Sequence, residues 1–317
     1  MKVIDHLKKA KSTLFSFEIL PPLKGRSIQE IYETLDPLME FQPPFIDVTY
    51  HRDDFVYKQR DNGFLEKIAV RKRPGTVGIC AAIMNRYHVD AVPHVICGGF
   101  DKEETENVLI DLNFLEIDNV LILRGDARKA DGEFIPKVGG HRYAIELLEQ
   151  VTHMNHGIYL DNDIQNPFKT NFCIGVAGYP EKHFESPNHD FDLQYLKRKI
   201  DMGANYIVTQ MFFDNQKYYD FVNRCRNAGI TVPIIPGLKP ITTLNQVHVL
   251  PKLFHVDIPN NFASEIMACK TNDAVLEVAI EWCSTQSREL IKFGAPCLHY
   301  YTLGSSNSIQ RIIKNVF

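Results

Sequence analysis

Short runs rich in Val, Ile, Phe and Tyr alternate along the chain with longer stretches whose apolar residues recur at helical spacing. That alternation is the mark of parallel strands joined by helices, because a parallel neighbour can be reached only through a crossover. Eight runs read as strands: residues 14–20, 45–50, 77–83, 119–124, 172–177, 205–210, 232–236 and 297–302. Residues 27–41, 101–117, 142–156, 192–202 and 216–228, and a long pair within 260–293, read as helices. Asp101 precedes Glu104 by three residues, as in a capping box, and Gly203 and Gly229 stand where helices should stop. Eight parallel strands in 317 residues fit a closed (β/α)8 TIM barrel, whereas an open doubly wound sheet normally carries a Gly-x-Gly-x-x-Gly turn that is absent here. With no short repeat and no low-complexity linker, the expectation is an α/β fold with one domain, a single (β/α)8 barrel over residues 1–317.

Composition narrows the partners. A content of 44% hydrophobic residues allows a large core, and a net charge of −4 gives no footprint for nucleic acid or an anionic membrane. Lys8, Lys9 and Lys11 fit an exposed helix face. No signal peptide or span of about twenty apolar residues is evident, so a cytoplasmic protein is expected. The seven cysteines are scattered and set mostly in apolar runs, which suits reduced, buried thiols. His153 and His156 form a His-x-x-His without a carboxylate ligand pattern, fit a helix surface, and leave no metal expected.

Candidate chemistry begins at Leu14-Phe15-Ser16-Phe17-Glu18-Ile19-Leu20-Pro21-Pro22. A buried carboxylate is costly unless paired, protonated or functional, and two prolines end the hydrogen-bond ladder just beyond it. Glu18 therefore falls near a strand's C-terminal end, where barrels keep catalytic groups. Alone, the stretch fits an edge strand with Glu18 in solvent equally well. Other strand ends bring Thr49-Tyr50-His51, Arg124-Gly125-Asp126, Tyr179-Pro180-Glu181, Thr209-Gln210 and Tyr300-Tyr301-Thr302. A structural barrel has no need of so many polar groups at one mouth. The irregular stretches 125–140 and 157–169 are expected as binding loops there. Lys197-Arg198-Lys199 is either a solvated helix face or a clamp for phosphate.

In order, the chain carries Phe15-Ser16-Phe17-Glu18, Val48-Thr49-Tyr50, Pro93-His94, Leu123-Arg124-Gly125-Asp126, Tyr179-Pro180-Glu181-Lys182-His183, Leu196 to Ala204, Thr209-Gln210 and Pro236-Gly237. This series resembles the methylenetetrahydrofolate reductases over nearly the whole chain. The resemblance implies an FAD-dependent barrel that reduces 5,10-methylenetetrahydrofolate to 5-methyltetrahydrofolate with NADH or NADPH in a ping-pong cycle. It implies Glu18 as general acid on folate N10, with a pKa raised by its apolar setting. Asp126 is implied beside flavin and pterin, and Gln210 and Tyr301, with Glu18, as substrate contacts. The positions implied around FAD are Thr49, Tyr50, His94, Leu123, Arg124, Gly125, Asp126, Tyr143, Ala144, Tyr179, His183, Asp192, Arg198 and Lys199, the last two at its phosphates.

The chain departs from the family where bacterial members carry Tyr-Thr-Leu-Asn-Arg, since it reads Tyr301-Thr302-Leu303-Gly304-Ser305. A stacking phenylalanine falls on Leu250, and Met211 follows Gln210 in place of an aromatic residue. These changes bear on nicotinamide and folate affinity. No C-terminal regulatory domain and no S-adenosylmethionine inhibition are expected, and a homo-oligomer is the expected assembly. The alternative function is a flavin-carrying electron-relay subunit that draws electrons from a partner protein. A flavin-free aldolase or lyase is disfavoured because no Schiff-base lysine is evident at a strand end.

Overall fold

A computed structural model describes residues 1–70, 72–128, 131–302 and 306–317. Its strands are β1 (Leu14–Ile19), β2 (Phe45–Val48), β3 (Asp54–Gln59), β4 (Leu65–Val70), β5 (Asp90–Ile96), β6 (Asn119–Leu123), β7 (Cys173–Gly178), β8 (Tyr206–Thr209), β9 (Ile234–Ile235), β10 (Gly237–Leu238) and β11 (Cys297–Tyr301). The helices are α1 (Val3–Lys9), α2 (Gln29–Met39), α3 (Thr76–Tyr87), α4 (Lys102–Phe114), α5 (Ala144–Asn155), α6 (His189–Asp201), α7 (Asn215–Asn227), α8 (Gln246–Phe254), α9 (Asn260–Ala268), α10 (Asn272–Phe293) and α11 (Asn307–Val316).

The main sheet runs β10-β11-β1-β2-β5-β6-β7-β8-β9 with every described pair parallel. β9 and β10 are two halves of one stave, broken at Pro236, whose carbonyl accepts from His299 N at 3.0 Å. The sheet thus closes into eight staves, as the alternating pattern predicts. Strand alternation divides the side chains: Phe17, Ile19, Ile46, Val48, Leu298 and Tyr300 pack outward in the layer shared with the helices. Phe45, Val92, Leu121, Cys173, Tyr206, Val208, Ile235 and Cys297 fill the barrel, together with Val3 of α1. Helix α1 closes the N-terminal end, tied by Val3 N to Asn119 Oδ1 at 2.8 Å and by His6 Nε2 to Asp90 Oδ2 at 2.6 Å. That plug leaves the opposite mouth for chemistry.

Three expectations change. Residues 77–83 form the body of α3, not a strand: Thr76, Ile79, Cys80 and Ile83 are buried at helical spacing, and the apolar Val77, Ala81 and Ala82 between them mask the period. The stave belongs to β5, whose Pro93 argues against a strand in the sequence but removes only one N–H from the ladder. Residues 157–169 lead into β7 from its N-terminal side, so they lie away from the mouth; the 125–140 stretch follows β6 and does reach it. The antiparallel ribbon β3–β4 between β2 and α3 has no counterpart in the eight-strand pattern. The capping box Asp101–Glu104 forms as expected, and His153 is exposed on α5 with His156 at its C-cap.

Candidate active site

Four neighbouring staves, β11, β1, β2 and β5, point polar side chains into the barrel below the mouth. β1 supplies Ser16 and Glu18, β2 Asp47, β5 His94 and β11 His299, all buried. Thr49 Oγ1 donates to Glu18 Oε1 at 2.5 Å. Glu18 Oε2 lies 3.4 Å from His299 Nε2 and 3.5 Å from His94 Nε2. Asp47 lies deeper, with Oδ2 at 3.8 Å from His94 Nε2 and Oδ1 at 3.9 Å from His299 Nδ1, which also meets Ser16 Oγ at 2.8 Å. Thr302 closes the group from the rim, donating through N and Oγ1 to the Glu18 carbonyl at 3.1 and 2.8 Å.

This setting reverses one expectation. Burial pushes the Glu18 carboxyl up, but the His94 charge, the His299 contact and the Thr49 hydroxyl together hold it down to about 2. The apolar reading of the stretch missed the histidines that face it. For His94, burial pulls the pKa down, yet the Glu18 and Asp47 carboxylates prevail and raise it. Glu18 is therefore ionised around neutral pH, and its charge with that of Asp47 favours the protonated form of His94.

The other expected residues gather on the β6–β7 side. Arg124 pairs with Glu185 through both guanidinium nitrogens at 2.6 and 2.9 Å and lies over Phe134. Gly125 sits at φ +81, and a Cβ there would meet Ile96 at 3.0 Å, so the turn after Leu123 favours glycine. Asp126 is exposed within electrostatic range of both His51 and Tyr179, between the two halves of the mouth. Tyr179 is edge-on to His183, which stacks on Phe184, and Phe184 stacks on His255. Asp192 accepts from His183 N at 3.2 Å and Ser186 Oγ at 2.9 Å.

In the basic cluster, Lys197 pairs with Asp201, while Arg198 and Lys199 turn toward Tyr195. Lys199 is 8% exposed, burial drops its pKa to about 8, and among the described residues it has no hydrogen bond or ion pair. A buried ammonium that has the Asp192 carboxylate only within electrostatic range, not bonded to it among the described residues, suits an anionic ligand such as a phosphate. Tyr143, the exposed N-cap of α5, and Ala144 flank this half, with Tyr143 within electrostatic range of Tyr195. Tyr50 packs on Phe100.

Gln210 caps its own chain, accepting from Met211 N at 2.9 Å, and the Tyr301 hydroxyl donates to Thr209 O at 2.8 Å with its ring edge-on to His299. Met211 and Leu250 are buried in a satellite core under α8, α9 and α10, so neither offers a stacking face at the mouth. Gly304 and Ser305 lie outside the described residues. Lys239 corrects the statement that no lysine ends a strand: it follows β10, is 5% exposed, and burial lowers its pKa to about 8. The Cys283 thiol of α10, itself pushed up by burial to about 12, lies within electrostatic range of it.

His51 of the strand-end group Thr49-Tyr50-His51 joins the site, and Asp47 and His299, which were not singled out from the sequence, complete it. Strand period was the available signal, since Asp47 and His299 share the inward phase of Phe45 and Cys297. Among the described residues, no group of three or more His, Cys, Asp or Glu side chains is arranged to hold a metal ion, and no helix is long and apolar enough to cross a membrane.

Comparison with known proteins adds the following. The family profile for methylenetetrahydrofolate reductase matches residues 2–317. A probable methylenetetrahydrofolate reductase (NADPH) of Caenorhabditis elegans is 30% identical over 99% of this chain and 43% of its own length. The 5,10-methylenetetrahydrofolate reductase of Salmonella typhimurium is 30% identical over 91% of this chain and 85% of its own. The chain thus spans about half the length of the eukaryotic relatives, 43% to 51% of each. A solved structure from Clostridium thermocellum, described as binding two copies of 5-methyl-5,6,7,8-tetrahydrofolic acid, has a TM-score of 0.57 at 13% identity, covers 99% of this chain and 97% of its own, and shares the fold.

Proposed function

Because the chain belongs to the methylenetetrahydrofolate reductase family, we propose that it reduces 5,10-methylenetetrahydrofolate to 5-methyltetrahydrofolate with FAD and a reduced nicotinamide, in two half-reactions at one mouth. The observation that carries this reading is Glu18, a buried carboxyl at the barrel's C-terminal mouth with two imidazoles at its back. When bound, the flavin supplies the hydride that reduces the folate carbon and accepts its replacement from NADH or NADPH.

The chain's own residues do the rest. Glu18 delivers a proton to folate N10, which opens the five-membered ring to an N5 iminium ion. Asp126, exposed at the rim, favours that cation electrostatically. Lys199 and Arg198 hold the phosphates, and the unpaired Lys199 ammonium is the feature that best fits them. Thr49, Tyr50, His94, Leu123, Arg124, Gly125, Tyr143, Ala144, Tyr179, His183 and Asp192 surround the cofactor. Gln210 and Tyr301 orient the folate once their present backbone contacts yield.

The test is the anaerobic absorption spectrum of the purified protein. A yellow protein bleached by NADH or NADPH and recoloured by methylenetetrahydrofolate is expected. A protein that stays colourless when FAD is added contradicts the reading. Flavin retained but reduced by neither nicotinamide points instead to an electron-relay subunit.

A further inference from the structure

A general acid that is ionised before substrate arrives has to be loaded from somewhere, and the cluster beneath Glu18 supplies a source. Asp47 is 1% exposed, and among the described residues neither of its oxygens has a hydrogen-bond partner. An isolated buried carboxylate is too costly to persist without a cation nearby. Two imidazoles are within reach. His299 is already engaged, its Nδ1 by Ser16 Oγ at 2.8 Å and its Nε2 by Glu18 at 3.4 Å. The ring nitrogens of His94 make no hydrogen bond among the described residues, and Nε2 stands between Glu18 Oε2 at 3.5 Å and Asp47 Oδ2 at 3.8 Å.

We propose that Asp47 is a positioning residue that keeps His94 loaded as a buried proton store and so reloads Glu18 from the side away from the substrate. The inference rests on the reading of Glu18 as proton donor. In the step, the His94 Nε2–H bond breaks as an O–H bond forms on Glu18 Oε2, and that O–H bond then breaks as the N–H bond forms on the substrate nitrogen, so that Glu18 returns to its ionised form. His94 is left neutral and regains one proton from solvent after product leaves, so each turnover consumes one proton. Asp47 acts through His94 and does not touch substrate.

The surroundings leave few other candidates for this control. Facing the pair are Glu18 and Ser16 from β1, and His299 and Tyr301 from β11. His51 in the loop after β2 lies within electrostatic range of Glu18 and His94. Within range of Asp47 are Tyr206 from β8, Cys80 from α3 and Cys297 from β11, whose hydroxyl and thiols are held neutral by burial. The Tyr206 hydroxyl, buried and unpartnered among the described residues, adds a polar but uncharged neighbour.

Asp47→Asn in the flavin-loaded protein tests the assignment with two readouts. The first is the pH profile of flavin reoxidation by methylenetetrahydrofolate, measured by anaerobic stopped flow. Its basic limb is expected to move to lower pH by about 1–3 units, the shift a carboxylate within a few ångströms imposes on an imidazole. Reduction of the flavin by nicotinamide, which takes no proton from Glu18, should keep its profile. The second is the nitrogen-15 imidazole titration of His94, which needs no turnover and should fall in parallel. A working wild type whose profile and His94 titration are both unchanged by the substitution overturns the store, as does a shifted profile with an unshifted imidazole. A wild type that binds flavin but never passes electrons to the folate overturns the functional reading and the relay with it.

Discussion

Replacing Glu18 by Gln keeps the side chain's shape and an acceptor for Thr49 while removing its capacity to take up and pass on a proton. Reduction of the flavin by nicotinamide should survive, and folate turnover should fall by about 10²–10⁴-fold, the usual worth of a positioned acid. The same variant reports on stability. The folded pKa of Glu18 is about 2 against an ordinary 4.5, so its ionised form supports the fold above 4.5 and that support is lost as pH falls toward 2. Thermal melts of wild type and Glu18→Gln should therefore converge across that window. Glu181 behaves in the opposite sense: burial raises it to about 7, while Oε2 accepts from Asp257 N at 2.6 Å and Oε1 is unpartnered among the described residues. Its neutral form suits the fold, so the stability it lends is complete below 4.5 and is lost as pH rises through 7. Glu181→Gln should raise the melting temperature at roughly pH 8 by more than at roughly pH 5. An equal effect at both would mean that the carboxyl does not titrate there.

At the scale of elements, β7 and β8 are fitted to each other through Gly175. A Cβ at that position would stand 2.4 Å from the ring of Tyr206, which crosses the barrel interior. Gly175→Ala should cost about 1–3 kcal/mol by overpacking, measured by urea unfolding. The periodic elements were legible because one face of each is apolar and the other is not. β1, β6 and β7 lie within a residue or two of the runs seen in the sequence. α3 and β5 were misread for a shared reason: the outer face of α3 is also apolar, which erases the helical period, and Pro93 makes a buried strand resemble a turn. The ribbon β3–β4 was hidden because both its faces are largely exposed, with Tyr57, Phe64 and Leu65 in solvent, so no burial pattern marks it. A two-stranded ribbon of this kind contributes little to a core. Joining residues 53 and 71 by a short turn is expected to leave the barrel's cooperative melt intact.

Across the whole molecule the barrel interior is divided. The β11-β1-β2-β5 side carries Glu18, Asp47, His94 and His299, and the β6–β9 side carries Leu121, Val208 and Ile235 below a rim of Arg124, Tyr179 and the buried Lys199. One half of the mouth gathers titratable groups and the other suits an anion, a division that agrees with the proposed flavin-dependent reduction. The sequence placed seven of the eight staves near their observed positions and put Glu18 at the end of one of them, but did not bring to it the histidines that set its state. His299 lies 281 residues away along the chain, and only closure of the sheet through β11 and β1 brings the two together. Loss of the Lys199 charge in Lys199→Met should weaken FAD binding roughly ten- to hundredfold by fluorescence titration, the worth of one charge-assisted contact. The most direct test of the central claim is to mix the reduced, FAD-loaded protein anaerobically with methylenetetrahydrofolate and follow the return of flavin colour in wild type and Glu18→Gln. Rapid recolouring in wild type and near-absence of it in the variant, with equal reduction by nicotinamide in both, is the predicted result; equal recolouring in the two would contradict the assignment of Glu18 as proton donor.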